Sequence, residues 1–425
     1  MKYALLGFGI SNKEILKYLL KKGESVFVSD QNKLNEIDRK FLIENNVDFE
    51  ELGHTEKILE SDVILVSPGI HFENPLIEKA RKLGITIDTE ISFCTNEFKK
   101  LGWNPIIIAV TGSVGKSTTV SMIHHVLNKH SRSLLAGNIG IPVATLLNGN
   151  LRADYLILEV SSFQLYWSKF FKPNISVILN IYPNHLNWHP NMEHYVDSKF
   201  KIAKFQEKED IFIYNPDDPY IIKNLNLVQS KKIPFKKALR LDELPEHLRY
   251  KQTLENVAAT QTVIETLGFE FRIDYLQDFE KLPHRMEFVA EINGIKFFND
   301  SKATNAIAVI RAIENFDENL HLIMAGIGKR EDYSDLVKVL EKHVKTLAVV
   351  GPIIEDLKPY LEKENISFFE FKSLGEAVEE LFSIAEKGDV IMLSPGGASF
   401  DAFKNFEDRG EYFKQIVMQL KEGKS

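Results

Sequence analysis

A glycine-rich turn with a lysine stands out in the middle of the sequence. It reads Gly112-Ser113-Val114-Gly115-Lys116-Ser117-Thr118, follows an apolar run at 106–110 and precedes a segment with helical spacing. Glycines in this context let backbone N–H groups close around phosphate oxygens, and the helix N-terminus adds a favourable field. Lys116 can reach the β- and γ-phosphates of ATP, and a hydroxyl of Ser117 or Thr118 can serve Mg²⁺. The spacing between the first glycine and Gly-Lys is shorter than in the usual phosphate loop, so a chance glycine turn is the alternative.

Three further side chains could act beside this loop. Glu159 lies at the end of an apolar run at 155–160, where a carboxylate is well placed to hold Mg²⁺. His185 follows another apolar run, and Lys199 lies in a segment with helical spacing. Taken singly, each has an ordinary structural interpretation: a buried acid bound by backbone donors, a hydrogen-bonded loop histidine and a solvated lysine. They become catalytic candidates only as a group.

A second glycine turn lies near the start of the chain. Gly7-Phe8-Gly9 follows an apolar run, and Asp30 ends the next one, as in a dinucleotide-binding fingerprint, but Asn12 stands where the third glycine is expected. A plain strand-to-helix turn and a resting place for a nucleotide diphosphate both fit these residues. A nicotinamide-dependent oxidoreductase is a further alternative, although it leaves the Lys116 loop without a purpose.

These candidate residues need a scaffold, and the pattern along the chain is that of three α/β domains. Apolar runs alternate with amphipathic helical segments, which indicates βαβ units and mainly parallel sheets. We predict a Rossmann-like domain at 1–89, a central P-loop ATPase-type domain at 90–281 and a Rossmann-like C-terminal α/β domain at 282–425. Asn293-Gly294 between two strand-like runs predicts a hairpin at the start of the third domain.

The predicted elements are short and regularly spaced. The main predicted strands cover residues 3–6, 25–29, 63–66, 105–110, 155–160, 175–179, 287–292, 295–299, 321–325, 346–350 and 390–393. The main predicted helices cover residues 117–127, 192–205 and 254–267.

Composition excludes several classes of protein. The chain has 425 residues, a net charge of -8 and one cysteine, Cys94, so it has neither an intramolecular disulfide nor a thiolate metal cluster. The acidic balance argues against nucleic acid as a partner. No apolar stretch approaches the ~18 residues of a membrane helix, and the N-terminus lacks the apolar segment of a signal peptide. We therefore expect a cytoplasmic protein without membrane insertion, and a monomer.

Taken in order along the whole chain, these motifs resemble those of the Mur ligase family. A phosphate loop alone is shared by many enzymes, whereas the ordered set is specific. The matching segments are Thr111 to Thr119, Gly137-Asn138-Ile139-Gly140, Glu159 to Leu165, His185, His284-Arg285, Asn299 to Asn305, Leu393-Ser394-Pro395, Ala398 to Asp401 and Arg409-Gly410.

The resemblance implies an activity. It implies ATP-dependent ligation through an acyl phosphate, with ADP and phosphate as products, in the synthesis of peptidoglycan precursors. The motifs are most similar to those of the member that joins D-glutamate to UDP-N-acetylmuramoyl-L-alanine. Another Mur-type ligase, such as the L-alanine-adding one, and a nucleotide-dependent binding module without synthesis are the alternatives.

The resemblance also implies residue roles. It implies that ATP is bound by Gly112, Ser113, Gly115, Lys116, Ser117, Thr118, Asn256, Arg285, Asp300 and Lys302. It implies two Mg²⁺ sites formed by Ser117, Glu159, His185 and Lys199, with Lys199 carbamylated, and catalysis by Lys116, Glu159, His185 and Lys199. It assigns the UDP-sugar to Ser11, Asp30, Gly69 and Asn138, and D-glutamate to Thr304, Lys329, Ser399 and Phe406.

The sequence departs from the family pattern at four places. Asn184 and Asn187 stand near His185 where aspartates are often found. Lys251-Gln252 replaces an expected His-Asn pair, which is why Asn256 is carried over as the residue near the adenine. The segment Ala325 to Lys329 lacks the acidic residue that often precedes the lysine.

Overall fold

A computed structural model describes residues 1–149, 151–235 and 239–423. By their internal contacts these residues form two compact units. The first contains the described parts of 1–181, 188–238 and 256–276, and the second contains those of 182–187, 239–255 and 277–425. Two sheets lie in the first unit and one in the second.

The first sheet is five-stranded and parallel, with the order β3-β2-β1-β4-β5. The chain order reverses between β1 and β4, and ligands bind at the carboxyl ends of strands at such a switch point. Its strands are β1 Lys2–Leu6, β2 Ser25–Ser29, β3 Asp48–Glu50, β4 Val63–Val66 and β5 Thr86–Asp88. The helices of this part are α1 Ile10–Lys21, α2 Glu36–Glu44, α3 Pro75–Lys82 and α4 Glu90–Lys100.

The second sheet is six-stranded and also parallel, with the order β11-β10-β9-β6-β8-β7. Its strands are β6 Ile106–Thr111, β7 Ser133–Gly137, β8 Tyr155–Glu159, β9 Ile175–Ile178, β10 Ile211–Tyr214 and β11 Lys231–Pro234. The helices are α5 Lys116–Leu127, α6 Val143–Asn148, α7 Ser162–Trp167, α8 Met192–Phe200, α9 Pro219–Asn224 and α10 Lys251–Thr266. The central position of β6 brings the ends of β8 and β9 to either side of the loop that follows it.

The third sheet is mixed, because β12 runs antiparallel to the other strands in the order β12-β13-β17-β14-β15-β16. Its strands are β12 Glu287–Ile292, β13 Ile295–Asn299, β14 Leu320–Ala325, β15 Val344–Val350, β16 Phe369–Phe371 and β17 Val390–Gly396. The helices are α11 Ala306–Ile313, α12 Ser334–His343, α13 Ile353–Lys363, α14 Leu374–Ile384 and α15 Phe406–Lys421.

The main sequence-predicted elements are confirmed, with two adjustments. The hairpin forms as predicted, with Asn293 at φ 54° and Gly294 at φ 81°, the left-handed pair that such a turn requires. The predicted helix 192–205 is too long: α8 ends at Phe200 and a 3₁₀ turn follows at Lys201–Ala203. The short strands β3, β5, β7, β10, β11 and β16 were not predicted, although β10, with the sequence Ile-Phe-Ile-Tyr, is an apolar run.

Apolar side chains from both faces of the sheets form the cores. The lone cysteine, Cys94, lies on α4 within the apolar core of the first unit and is fully buried. The third sheet has a separate apolar core on each face. In the described part of the chain, no helix is both long and apolar enough to cross a membrane.

Candidate active site

The glycine-lysine turn occupies the short connection between β6 and α5. Gly115 has φ 84°, and a Cβ atom there would lie 2.6 Å from Asn256 Oδ1, so both backbone and space require glycine. The Asn256 amide oxygen also accepts from Thr119 Oγ1 at 3.2 Å. The structure thus places Asn256 against the base of the phosphate loop.

Asn180, two residues beyond β9, holds the loop in shape. Its Oδ1 accepts from Ser113 N at 3.1 Å and Val114 N at 3.0 Å, and its Nδ2 donates to Val114 O at 3.2 Å. The side chain is almost completely buried. Sequence reasoning missed this residue, because an asparagine after a strand carries no spacing signal for a phosphate site.

Lys116 and Lys199 meet at one carbonyl oxygen. Lys116 Nζ donates to Gly112 O at 2.9 Å and to Ser113 O at 3.2 Å, and Lys199 Nζ donates to the same Gly112 O at 2.8 Å. Lys199 is 1% exposed, so the interpretation of a solvated surface lysine is wrong. Burial, reinforced by the charge of Lys116, holds the pKa of Lys199 well below its usual range, and Glu159 opposes this effect.

Glu159 ends β8 as a buried carboxylate that uses only one of its oxygens. Oε1 accepts from Asn138 Nδ2 at 2.8 Å, whereas Oε2 is buried and has no hydrogen-bond partner in the described structure. Asn138 follows β7, and a Cβ atom on the preceding Gly137 would lie 2.4 Å from Glu159 O, so the two loops are in direct contact. An orphaned carboxylate oxygen beside a phosphate loop fits a Mg²⁺ ligand.

A protein-only metal cage is not what this site offers. Within the described ranges, no group of three or more His, Cys, Asp or Glu side chains could hold a metal ion. Mg²⁺ keeps several waters and commonly uses one or two carboxylates together with substrate phosphates, so Glu159 with the Ser117 hydroxyl fits that mode of binding.

His185 groups with the second compact unit, in the segment 182–187. Its backbone is left-handed, with φ 58°, and its N–H donates to Asn184 Oδ1 at 2.8 Å, a role that asparagine fills as well as aspartate. Tyr182 in the same segment accepts from Arg311 Nη2 at 2.6 Å, and the Arg311 guanidinium lies 4.9 Å from the centre of the Tyr182 ring. A positive φ in a non-glycine residue is a strained conformation of the kind that clusters at functional sites.

Three of the four predicted UDP-sugar residues, Ser11, Asp30 and Gly69, follow strands of the first sheet near its switch point, whereas Asn138 follows β7 of the second sheet. Asp30 Oδ2 accepts from Phe8 N at 2.6 Å, which fixes the carboxylate beside the Gly7-Phe8-Gly9 turn. Asn12 is buried and its Nδ2 donates to Gly7 O at 2.7 Å, so this amide occupies the place of the third glycine. Ser11 lies in the first turn of α1, and Gly69 is exposed in the loop after β4.

The predicted ATP residues of the second unit lie around the end of β13. His284 and Met286, on either side of Arg285, have φ 61° and φ 44°. Asp300 is buried, accepts from Met286 N at 3.1 Å and from Ser394 Oγ at 3.0 Å, and burial raises its pKa to about 7. Lys302 follows two residues later, and its Nζ lies 3.5 Å from the centre of the Phe406 ring.

The predicted D-glutamate residues lie in loops that follow β13, β14 and β17, and at the start of α15. Lys329 Nζ is 3.5 Å from Thr304 Oγ1, and Ser399 is buried at the end of the β17 loop. Phe406 begins α15, where its carbonyl accepts from Ser301 Oγ at 2.8 Å.

Arg409 lies in one of the segments that match the family, and its side chain organises these loops. The side chain is 1% exposed and donates to Ser301 O at 3.0 Å, Gly397 O at 3.1 Å and Ala325 O at 3.3 Å. It therefore connects the loops after three neighbouring strands.

Comparisons with known proteins give the same order of domains. Three family models match in sequence: the MurD N-terminal domain at residues 2–75, the Mur ligase middle domain at 110–274 and the Mur ligase, glutamate ligase domain at 284–397. A UDP-N-acetylmuramoylalanine–D-glutamate ligase from Thermosipho africanus is 72% identical over 425 residues, which is 100% of each chain. A relative with the same name from Fervidobacterium nodosum is 53% identical and covers 100% of each chain.

The chain belongs to the Mur ligase family. The resemblance inferred from the motifs is thereby confirmed, and family members are ATP-dependent ligases that form amide bonds.

Solved Mur ligase structures share the fold. UDP-N-acetylmuramate-alanine ligase MurC from Thermotoga maritima gives a TM-score of 0.59 at 17% identity, with 99% of each chain covered. MurF ligase from Thermotoga maritima in complex with ADP gives a TM-score of 0.62 at 17% identity, with 93% of this chain and 96% of that chain covered. The predicted three-domain α/β class is confirmed for this Mur ligase.

Replacement of Asn180 by alanine is expected to disable the phosphate loop. The change removes the side-chain acceptor of Val114 N, which should cost about 1–3 kcal/mol of stability, and it should lower kcat/KM for ATP by at least about tenfold. Urea unfolding and initial rates at varied ATP measure the two effects. Asn224→Ala, which removes a side-chain bond to Tyr220 O at 2.8 Å near the end of α9, is the control and should leave the ATP dependence unchanged. An unaltered ATP dependence in Asn180→Ala would show that the phosphate loop does not need Asn180 to bind ATP.

Asp300 is expected to make this Mur ligase less stable as the pH rises. The folded carboxyl keeps its proton up to about pH 7, whereas the unfolded chain releases it near 3.8, so the folded state binds more protons between these values and stability falls through that window. The amide side chain of Asp300→Asn cannot ionise. When the pH rises from about 5 to about 8, the free energy of unfolding of this variant should therefore fall by roughly 2–3 kcal/mol less than that of the parent.

Urea unfolding of both proteins at the two pH values measures this difference. Asp317→Asn makes the same charge change at an exposed residue and serves as the control. Equal pH dependence of the parent and Asp300→Asn would show that Asp300 does not carry a buried proton.

Proposed function

We propose that this Mur ligase joins D-glutamate to UDP-N-acetylmuramoyl-L-alanine, with ADP and phosphate as the other products, in the synthesis of peptidoglycan precursors. The observation that carries the proposal is the 72% identity, over the full length of both chains, to a relative named for this reaction. The positions of the phosphate loop, of Glu159 and of the loops that follow β13, β14 and β17 support it.

The phosphate loop binds and orients ATP. Backbone N–H groups at the start of α5 bind the phosphates, while those of Ser113 and Val114 stay bonded to Asn180. Lys116 Nζ exchanges its present bonds to loop carbonyls for phosphate oxygens. Asn180 keeps the loop open in this shape. Charge that develops on the transferred phosphoryl group is stabilised by donors already in place.

Glu159 and the Ser117 hydroxyl hold Mg²⁺, and His185 completes the metal sites. Bound Mg²⁺ would neutralise phosphate charge during transfer. Asn138 orients Glu159 through Oε1 and leaves Oε2 for the ion. Asn138 therefore has two roles in this proposal: it contacts the UDP-sugar, and it donates a hydrogen bond to the metal-binding carboxylate of Glu159.

Lys199 acts as a carbamate. Its depressed pKa leaves a neutral amine, which can add to CO₂ with loss of one proton. The product is an anion that removes the repulsion with Lys116 and can serve as a further Mg²⁺ ligand. A buried lysine whose hydrogen-bond acceptor, Gly112 O, is neutral is chemically suited to this change.

The remaining residues hold the other substrates. Ser11, Asp30 and Gly69 contact the UDP-sugar at the switch point of the first sheet, while Asn256, Arg285, Asp300 and Lys302 complete the nucleotide site. Thr304, Lys329, Ser399 and Phe406 bind D-glutamate. Holding the amine close to the acyl phosphate and excluding water favour amide formation over hydrolysis.

The domain limits 1–89, 90–281 and 282–425 are part of the proposal. They are supported by the strands, since β5 ends at Asp88, β6 to β11 lie between Ile106 and Pro234, and β12 begins at Glu287. A cytoplasmic, monomeric enzyme completes the proposal.

Phosphate release with a panel of amino acids tests the activity. With ATP, Mg²⁺ and UDP-N-acetylmuramoyl-L-alanine, D-glutamate should give release well above L-glutamate, D-alanine and L-alanine. Lys116→Ala should reduce this release at least about 100-fold with the fold retained, because a preorganised charge is lost. L-Alanine-dependent release with UDP-N-acetylmuramate would instead favour the L-alanine-adding rival, and a fully active Lys116→Ala would remove the phosphate loop from the mechanism.

Removal of the Lys199 side chain tests the carbamate. Lys199→Ala should lose at least about 99% of the activity, and short carboxylic acids such as acetate should restore part of it by supplying the missing anion. Lys204→Ala, an exposed lysine on the same segment, is the matched control and should stay active. Loss of activity without any recovery in carboxylic acids would count against the carbamate.

A further inference from the structure

Two charged side chains after β14 are both incompletely paired. Lys329 is mostly buried, and its Nζ has one hydrogen bond, to Thr304 Oγ1 at the long distance of 3.5 Å. In the chain as described, no carboxylate oxygen comes within 4.0 Å of this ammonium group. A buried cation with one long hydrogen bond is left short of negative partners.

Glu331, two residues further on, has a carboxylate oxygen that lacks a hydrogen-bond donor among the described residues. Its Oε2 accepts from Ala306 N, at the start of α11, at 2.8 Å. Its Oε1 is buried and has no hydrogen-bond partner among residues 1–149, 151–235 and 239–423. Burial raises the pKa of this carboxyl, while Lys329 is near enough to lower it. Leaving a buried acceptor unpaired is destabilising, so this oxygen calls for an explanation.

Capping of α11 does not supply that explanation. The Ala306 bond uses Oε2 only, and Asn305 already caps the helix through Ala308 N at 2.9 Å. Nothing in these contacts requires the second oxygen to be buried.

The backbone between the two residues is held in a strained shape. Arg330 has φ 53°, a left-handed conformation in a non-glycine residue. Its N–H donates to Asp356 Oδ2 at 2.9 Å, and a Cβ atom on Gly328 would lie 2.1 Å from the same oxygen. The loop is therefore fixed by Asp356 and carries strain of the kind that clusters at binding sites.

The Lys329 ammonium group and the Glu331 carboxylate oxygen could both be paired by one bound amino acid. A free amino acid carries a carboxylate and an ammonium group on one carbon, and D-glutamate carries a second carboxylate. Lys329 with Thr304 offers donors to a carboxylate, and Glu331 Oε1 offers an acceptor to an ammonium group.

We propose that Glu331 binds the α-ammonium group of the amino-acid substrate, while Lys329 and Thr304 bind one of its carboxylates. This assignment rests on the proposed function and deepens it, because it names a substrate-binding residue that the motif comparison does not provide. The acidic residue missing before Lys329 is thus replaced by one that follows it. Glu331 contributes to specificity by rejecting dicarboxylates that lack an amine.

Removal of the Glu331 charge gives the first test. In Glu331→Gln, KM for D-glutamate should rise about 10- to 100-fold, as for the loss of a charged hydrogen bond, while KM for ATP stays within about twofold. Asp332→Asn makes the same charge change at the next residue, which is exposed and accepts from Ser334 N at 2.9 Å, and should leave both constants unchanged.

Glutarate, which is glutamate without its amino group, separates binding of the amine from a structural effect. The parent should bind glutarate at least about tenfold more weakly than D-glutamate, and Glu331→Gln should lose most of this preference. Competition against D-glutamate in the phosphate-release assay measures both. If Glu331→Gln does not fold, Glu331→Asp provides the second variant, with an intermediate preference expected from its shorter side chain.

Two results would overturn the assignment. One is an unchanged KM for D-glutamate in a folded Glu331→Gln, which would leave Glu331 as a cap of α11 only. The other is an unchanged preference for D-glutamate over glutarate in the folded variants. Failure of the proposed function is distinct, because the parent itself would then show no D-glutamate-dependent phosphate release.

Discussion

The Gly112 carbonyl oxygen accepts from the Nζ atoms of two lysines, and the candidate active site depends on this contact. Lys116 and Lys199 approach from α5 and α8, and like charges at such a separation repel strongly in a poorly solvated site. The arrangement becomes favourable when phosphate oxygens draw Lys116 away or when Lys199 is neutral. An anion bound at this position would therefore be stabilised by the two lysines, because the adjacent Glu159 offsets their repulsion only in part.

The parallel sheets explain how residues distant in sequence reach this point. The loops after β6, β7, β8 and β9 emerge at the same edge of the second sheet, so Gly112, Asn138, Glu159 and Asn180 become neighbours. In the third sheet the loops after β13, β14 and β17 likewise emerge at one edge, and Arg409 connects them by hydrogen bonds to their carbonyl oxygens. In both sheets a buried side chain, Asn180 in the second and Arg409 in the third, holds the loops together.

Much of this could be predicted from the sequence, and the failures have physical causes. The phosphate loop and the Asn293-Gly294 hairpin were predictable because their backbone conformations demand particular residue types. The burial of Lys199 was not, since helical spacing alone does not reveal which face of α8 is covered. Asn180 and Glu331 escaped notice because their importance lies in hydrogen bonds made or left unmade, which spacing does not encode. Asn12 argued against a dinucleotide fingerprint, and its bond to Gly7 O shows how an amide replaces the glycine.

The solitary cysteine has a practical consequence. The Cys94 thiol is fully buried in the first unit, and burial holds its pKa well above its usual range, so the folded protein presents little reactive thiolate. Alkylation of this thiol then requires local or global opening, and its rate reports the free energy of that opening around α4. The same inertness leaves the surface clear for single engineered cysteines, to which fluorescent or spin labels can be attached without removing a native thiol.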